Sequence, residues 1–246
     1  MYAVITAGGR VGPDFAAAIG TDVKALAPLG AGRLIDPAIR AARALDVEAI
    51  AVIGGAEVRS YCGDRVDIVI DAAEDGVENI RRALHAFPFE RLVYLTSDLP
   101  FIDGNGLRDF VTRGTGTAVA MALANADAYD ATYPAAPSHA VSLGRERLAN
   151  GSVFALDRAA LAPLERVAGQ FFRARKSLLR LAMLLGPVLC LRFAMKRLTI
   201  AAIEARARSV LGVDARAIRD CNPGLCYDVD DLADWTYAHS FALADA

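Results

Sequence analysis

Apolar residues follow two rhythms along this chain. Short runs rich in β-branched residues, each ended by glycine or a polar residue, occupy residues 2–6, 48–53, 66–70, 91–95 and 117–124 and predict strands. Between them, Leu34, Ile35, Ala38, Ile39, Ala42 and Leu45 recur at helical spacing and predict a helix over residues 32–45. Residues 75–87 and 106–112 predict two more. Strands alternating with helices imply an α/β fold built on a doubly wound, mainly parallel sheet with helices on both faces. Ligands of such sheets lie at the carboxyl ends of the strands. The residues just after each strand are therefore the ones to read for chemistry.

The second half is less regular. Residues 150–156 read as a polar turn entering a strand, and residues 158–167 as a helix kinked or broken at Pro163. Residues 196–211 predict a helix capped by Thr199. Residues 213–219 look extended, and a last helix opens around residues 226–232 and runs to about Ala242. The apolar stretch 178–191 is interrupted by Arg180, Gly186 and Pro187. A membrane span needs about 20 consecutive apolar residues, so this stretch predicts a helix in the core or in a dimer contact, followed by a short strand. With its flanks it forms a helical lid or interface around residues 168–212 of a single domain over 1–246.

Composition narrows the classes. The chain has 246 residues, 54% of them hydrophobic, enough for one large α/β domain. A net charge of -2 gives no basic field for nucleic acid. Cys62, Cys190, Cys221 and Cys226 form no Cys-x-x-Cys pair, and the three histidines show no metal spacing, which speaks against zinc. Scattered thiols and an N-terminus without a secretory pattern give the expectation of a reducing cytoplasm.

Candidate chemistry begins after the first strand. Ala7-Gly8-Gly9-Arg10 offers backbone N–H groups at close range, and Lys24 adds a second cation. A guanidinium and an ammonium together suit phosphate. A tight turn with two solvated basic residues has the same local pattern. The dinucleotide fingerprint is excluded because Arg10 stands where its second glycine belongs, and the P-loop because no Gly-Lys-Ser/Thr follows. After the fourth strand, Thr96-Ser97-Asp98-Leu99-Pro100 places a carboxylate at the sheet edge, suited to Mg²⁺ or to capping a turn. Gly76 and Asn79 have groups to offer a nucleobase edge, beside an Asp75 that reads as a helix cap. His139 reads as a structural or surface histidine. The basic run Arg173, Arg175 and Lys176 reads as an anion clamp or as a solvated helix start. Asp230 and Asp231 suit the N-terminus of the last helix, or one of them reaches Asp98.

Taken together, these segments resemble the MobA-like nucleotidyltransferases of the GT-A-like fold. Ala7-Gly8-Gly9 looks like that family's nucleotide loop, and Lys24-Ala25-Leu26-Ala27-Pro28-Leu29 like its Lys-x-Leu-x-x-Leu segment. Gly76 and Asn79 fall where the family contacts the base. Ser97-Asp98-Leu99-Pro100 is similar to its Asp-x-Pro metal motif, and Asn150-Gly151-Ser152-Val153-Phe154 to its acceptor-side strand. Asp228-Val229-Asp230-Asp231-Leu232 resembles its terminal aspartate motif. Departures are the residue 11–23 insert, acidic at Asp14 and Asp22, Ser152 in place of asparagine, and a shortened spacer in the last motif.

The resemblance implies NTP + acceptor → NMP–acceptor + pyrophosphate. Mg²⁺ would sit on Asp98 and Asp230, with Arg10 and Lys24 offsetting phosphate charge. Asn150, Gly151, Ser152, Arg175 and Lys176 would face a small phosphorylated acceptor. GTP or CTP is the favoured nucleotide, molybdopterin guanylyl- or cytidylyl transfer the leading specific version, and a homodimer the candidate assembly. A GT-A glycosyltransferase and a non-catalytic nucleotide-binding domain are the alternatives.

Overall fold

The sheet is organised about its first strand. The computed structural model describes residues 1–137, 140–174 and 186–244. Its strands are β1 (Tyr2–Thr6), β2 (Pro28–Leu29), β3 (Gly32–Arg33), β4 (Ile50–Gly54), β5 (Ile68–Asp71), β6 (Arg91–Thr96), β7 (Val119–Asn125), β8 (Val141–Leu143), β9 (Glu146–Asp157) and β10 (Ala215–Ile218). Its helices are α1 (Pro13–Ile19), α2 (Asp36–Arg43), α3 (Ala56–Cys62), α4 (Gly76–Leu84), α5 (Gly104–Arg113), α6 (Ala126–Thr132), α7 (Leu161–Ala174), α8 (Pro187–Ala194), α9 (Ile200–Leu211) and α10 (Leu232–Ala244). The main sheet runs β5-β4-β1-β6-β9-β7-β10, with β8 paired to β9. β5, β4, β1 and β6 are parallel neighbours, as are β7 and β10, whereas β9 is antiparallel to both β6 and β7.

Both faces of β1 are covered, which is why its sequence is apolar without alternation. Ala3 and Ile5 join a large core that also takes Phe15 of α1, Ala38 of α2, Val58 of α3, Leu107 of α5, Tyr129 of α6 and Ala238 of α10. Val4 joins a second core with Leu84 of α4, Phe89 and Leu92, on which Leu161 and Leu164 of α7 pack. The chain leaves β1 for β4 and β5 on one side and returns to β6 on the other. The gap between the loops after β1 and β6 is therefore the topological switch point.

Several expectations need correction. The helix expected over 32–45 begins at Asp36, because Gly30 at φ +55° turns the β2–β3 hairpin first. Helices α1, α3 and α6 were not legible. Pro163 neither kinks nor breaks α7, because it lies in the first turn, where a missing N–H costs no helical bond. Residues 226–231 precede the last helix, which starts at Leu232. Residues 187–191 form helix α8 in place of the expected short strand, and no residue of α8 is buried. His139, Arg175, Lys176 and residues 178–185 lie outside the described residues.

β9 departs from regular pairing where it matters most. Against β7, Met121 faces Phe154 but Leu123 faces Asn150, so two steps on β7 oppose four on β9. The excess is a bulge carrying Gly151, Ser152 and Val153, of which Val153 stays buried and paired with Leu95 of β6. At Gly151 an added Cβ would lie 2.6 Å from the Leu225 carbonyl oxygen and 3.1 Å from the Ala122 Cβ. Gly151→Ala is therefore expected to lower unfolding stability by about 1–3 kcal/mol, read by urea titration. Wild-type stability would show that the bulge relaxes to make room.

Candidate active site

The loop after β1 is held down at several points. Ala7 donates its N–H to the Ile53 carbonyl at 2.7 Å. At Gly8 an added Cβ would lie 3.1 Å from the Ala72 Cβ and 3.3 Å from the Asn79 Nδ2, so glycine lets this loop approach the loop after β5. At Gly9 an added Cβ would meet nothing nearer than Lys24 at 3.8 Å. Packing within the protein does not demand glycine there, since that distance is an ordinary contact.

Residues 11–22 leave the glycine loop and return to it. Arg10 and Val23 form a bridge, Val11 N–H donates to the Asp22 carbonyl at 2.9 Å, and Lys24 N–H to the Gly9 carbonyl at 3.0 Å. Helix α1 fills the excursion, started by Pro13 and stopped by Gly20 at φ +75°. The insert thus returns the chain so that Lys24 lands against Gly9.

The Lys24 ammonium lies 2.5 Å from Asp98 Oδ2 and 3.5 Å from Asp230 Oδ1. Lys24 and Asp98 side chains are only 14% and 16% exposed, whereas Asp230 is 64% exposed. The tight pair is thus shielded and the longer one screened by water. Burial pushes the Lys24 pKa down, but the charge and hydrogen bond of Asp98, with Asp230 and Asp228 behind it, outweigh burial and hold it above its ordinary value. The other Asp98 oxygen, Oδ1, is buried and has no hydrogen-bond partner. A buried carboxylate oxygen left unsatisfied is costly and calls for a cation or donor.

The terminal aspartates reach the same place from the far end of the chain. Val229 N–H donates to the Asp98 carbonyl at 3.0 Å and the Val229 side chain is fully buried, fixing the strand-like approach of residues 228–230. Asp228 and Asp230 flank it on the side of Asp98. Asp228 Oδ2 accepts from Ser152 Oγ at 3.1 Å, a contact that the β9 bulge makes. Burial, then the carboxylates of Asp230 and Asp98, push Asp228 up to about 6, although Ser152 and Lys24 oppose the shift.

Asp231 takes a different role from Asp230. Asp231 Oδ1 accepts from the N–H groups of Ala233 and Asp234, while Asp234 Oδ2 accepts from those of Asp230 and Asp231. This reciprocal cap holds the start of α10 and leaves the Asp230 carboxylate free to face Lys24. The Asp-x-x-Asp spacing carried that signal in the sequence.

The remaining candidates are placed less directly. Arg10 is half exposed, with its guanidinium on Asp22 at 2.7 Å and Glu57 at 3.2 Å. Glu57 was not singled out, although it follows Gly54-Gly55 at the end of β4. Asn79 spends its side-chain amide on Ala73, accepting from its N–H at 2.6 Å and donating to its carbonyl at 2.9 Å. It therefore shapes the loop after β5, and Gly76 opens α4 behind the Asp75 cap. Ser152 faces Asp228, and Asn150 pairs with Leu123 at the neck of the bulge.

A hard divalent cation fits the donors at Asp98, all of them oxygens. Among the described residues no group of three or more His, Cys, Asp or Glu side chains is arranged to hold a metal. Mg²⁺ asks for less from protein, taking one or two carboxylates and completing its shell with water and phosphate. The unsatisfied Asp98 Oδ1 and the crowded aspartates meet that requirement.

A family profile described as the MobA-like NTP transferase domain matches residues 3–211. Among solved structures, a hypothetical transferase from Thermus thermophilus is similar at 26% identity and TM-score 0.82, covering 95% of this chain and 98% of that one. CMP:2-keto-3-deoxy-manno-octonic acid synthetase complexed with CTP is similar at 13% identity and TM-score 0.61, covering 100% and 99%. The Rv0371C manganese complex from Mycobacterium tuberculosis H37Rv is similar at 16% identity and TM-score 0.55, covering 97% of each chain. These likenesses place the chain in the nucleotide-diphospho-sugar transferase fold. No protein with curated annotation matches the chain.

The raised pKa of Asp228 has a sign that can be tested without ligand. A carboxyl whose folded pKa exceeds its unfolded 3.8 favours the folded state below that value, and the benefit is lost as pH rises through about 6. Asp228→Asn removes this loss. Its stability relative to wild type is expected to improve by about 2 kcal/mol between pH 4 and pH 7.5 in urea unfolding. An offset independent of pH would show that Asp228 titrates normally.

Proposed function

This chain belongs to the MobA-like NTP transferase domain family and is a nucleotidyltransferase, and we propose that it uses Mg²⁺ to transfer a nucleoside monophosphate from GTP or CTP to a small phosphorylated acceptor, releasing pyrophosphate. The observation that carries this reading is the Lys24 ammonium, held 2.5 Å from Asp98 at the switch point beside a glycine loop. A molybdenum-cofactor precursor is the specific acceptor the family name favours, and the CTP-bound synthetase of similar fold is in keeping with CTP.

In this reading Gly8 and Gly9 present backbone N–H groups to the triphosphate, and Lys24 offsets charge that builds on the α-phosphate and the departing pyrophosphate. Arg10 adds a second cation if it exchanges Asp22 and Glu57 for phosphate. Gly76 and the Asn79-shaped loop lie on the base side. Asp98 and Asp230 would hold Mg²⁺, which when bound supplies Lewis-acid polarisation of a phosphate oxygen. Asp228, steadied by Ser152, supports them. The strand carrying Asn150, Gly151 and Ser152 is assigned to the acceptor side, and Arg175 and Lys176, which lie outside the described residues, are assigned to the acceptor from the sequence alone. The protein's work is chiefly to align the attacking oxygen with the α-phosphorus and stabilise charge.

Pyrophosphate release, assayed with Mg²⁺, each of the four ribonucleoside triphosphates and a panel of phosphorylated acceptors, tests the reaction. Turnover is expected with GTP or CTP, and consumption of a nucleotide sugar instead would replace the reading by glycosyl transfer. Nucleotide binding without any turnover would make the chain a sensor.

Lys24→Ala and Asp98→Asn are each expected to lower kcat about a hundredfold or more in a folded protein. Unchanged kinetics in either would remove that residue from the site. In metal titrations Asp230→Ala is expected to weaken Mg²⁺ binding more than Asp228→Ala. Wild-type affinity in both would leave Asp98 as the ligand without them.

A further inference from the structure

The largest feature that the nucleotidyltransferase site leaves unused is helix α8 with the turn that follows it. The sequence of α8, Pro-Val-Leu-Cys-Leu-Arg-Phe-Ala, is apolar on almost every side, and such helices are normally buried. Here none of its residues is buried. Val188, Leu191, Phe193 and Met195 are 59%, 62%, 53% and 49% exposed, and they are half of the large apolar residues exposed among the described residues.

The helix is a defined object. It begins at Pro187 and ends in a tight turn, in which Arg197 N–H donates to the Arg192 carbonyl at 2.7 Å and Lys196 N–H to the Phe193 carbonyl at 2.9 Å. Lys196 takes φ +55° to make that turn, a conformation usually left to glycine. Beyond it, Leu198 is buried and Ile200 packs with Leu123 and Leu148, anchoring the helix to the ends of β7 and β9. Val188, Leu191 and Met195 follow at i, i+3 and i+7 along one side, Arg192 lies in the last turn, and Lys196 and Arg197 follow just past the end of the helix.

Charge tells which kind of surface this stripe suits. The 38 residues between Glu165 and Glu204 carry eight of the chain's 27 lysines and arginines and no acidic residue, in a protein whose net charge is -2. Cations at a helix C-terminus are favoured by its dipole, which accounts for the placing of Arg192 and Lys196 but not for the lack of any acid in that stretch of sequence. An exposed apolar stripe edged by cations matches an anionic lipid surface, where apolar side chains enter the headgroup boundary and the cations meet phosphate. Among the described residues no helix is long and apolar enough to cross a membrane, so such contact lies along the surface.

We propose that the protein docks reversibly on anionic phospholipid membranes through the exposed face of α8, with Val188, Leu191 and Met195 inserting and Arg192, Lys196 and Arg197 contacting headgroups. None of these residues belongs to the nucleotide site, so docking is separable from turnover.

The test is co-sedimentation of the full-length protein with vesicles of phosphatidylcholine alone and of phosphatidylcholine with phosphatidylglycerol. Binding is expected to the phosphatidylglycerol vesicles, weakened by added salt. The Arg192→Ala, Lys196→Ala, Arg197→Ala variant is expected to partition roughly a hundredfold less. The Leu191→Ser, Met195→Ser variant is expected to lose about tenfold or more. Both variants should keep wild-type melting and nucleotide binding. No binding to phosphatidylglycerol vesicles at low salt overturns the proposal. So does a wild-type dimer in light scattering that the serine variant dissolves while vesicles leave the protein in solution, because a second copy would then be the occupant. Equal binding to both vesicle types overturns the part assigned to the cations.

Discussion

The ammonium of Lys24 decides what the carboxyl edge of this sheet can hold. Three aspartates, Asp98, Asp228 and Asp230, come together there, and leaving the shielded charge of Asp98 without a counter-ion would cost several kcal/mol. Lys24 offsets part of that cost and does so from a segment remote in sequence. It arrives by way of the α1 excursion and is fixed by backbone bonds to Gly9, so its position is set by the main chain as well as by its partners. Much else follows from satisfying this cluster. The β9 bulge turns Ser152 towards Asp228, Val229 locks the terminal segment to Asp98, and the Asp231–Asp234 cap keeps Asp230 out of helix α10. Charge balance remains incomplete, with Asp98 Oδ1 unsatisfied and Asp228 pushed up to about 6.

The parts of this arrangement that were legible in the sequence are those governed by local pattern. β1, β4, β6 and β7 are apolar on both sides, and burial on both faces produces that signal directly, whereas β5, at the sheet edge, shows a β-branched run although only Val69 is buried. The Gly8-Gly9 turn and Asp98 could be found because they follow such strands, and Asp228 and Asp230 because they flank one buried valine. Helix α1 was missed because it is seven residues long and presents only Phe15 and Ile19 to the core, too few for a period to register. The antiparallel place of β9 was not legible, since strand order is decided by long-range packing. Ser152 was singled out for an acceptor, but its bond to Asp228 depends on a bulge fixed by Leu225, more than 70 residues away.

Two groups of candidates show how backbone demands compete with ligand demands. Asn79 uses one amide donor and one acceptor to clamp Ala73, and Gly8 eases the close approach of that same loop. Both residues build the wall on that side whether or not they touch a nucleotide. Gly9 is different, because nothing in the protein needs its missing side chain. Arg10 stands between these cases. Its two carboxylate partners hold it at the rim of the β4 end, and reaching a phosphate means giving them up.

The insertion of β9 between β6 and β7 has a consequence for the order in which the molecule can be made. A chain emerging from the ribosome completes β1, β4, β5 and β6 well before residues 146–157 exist. Until then β6 keeps one row of backbone donors and acceptors open, and β7, already synthesised, has neither of its final neighbours. An unpaired edge of this kind is what newly made chains use to pair wrongly with one another. The same delay holds for the carboxylate cluster, whose last member is residue 230 of 246. A nascent or truncated chain can therefore have a well-formed glycine loop with Lys24 and Asp98 in place, and still lack two of the three aspartates that Lys24 faces.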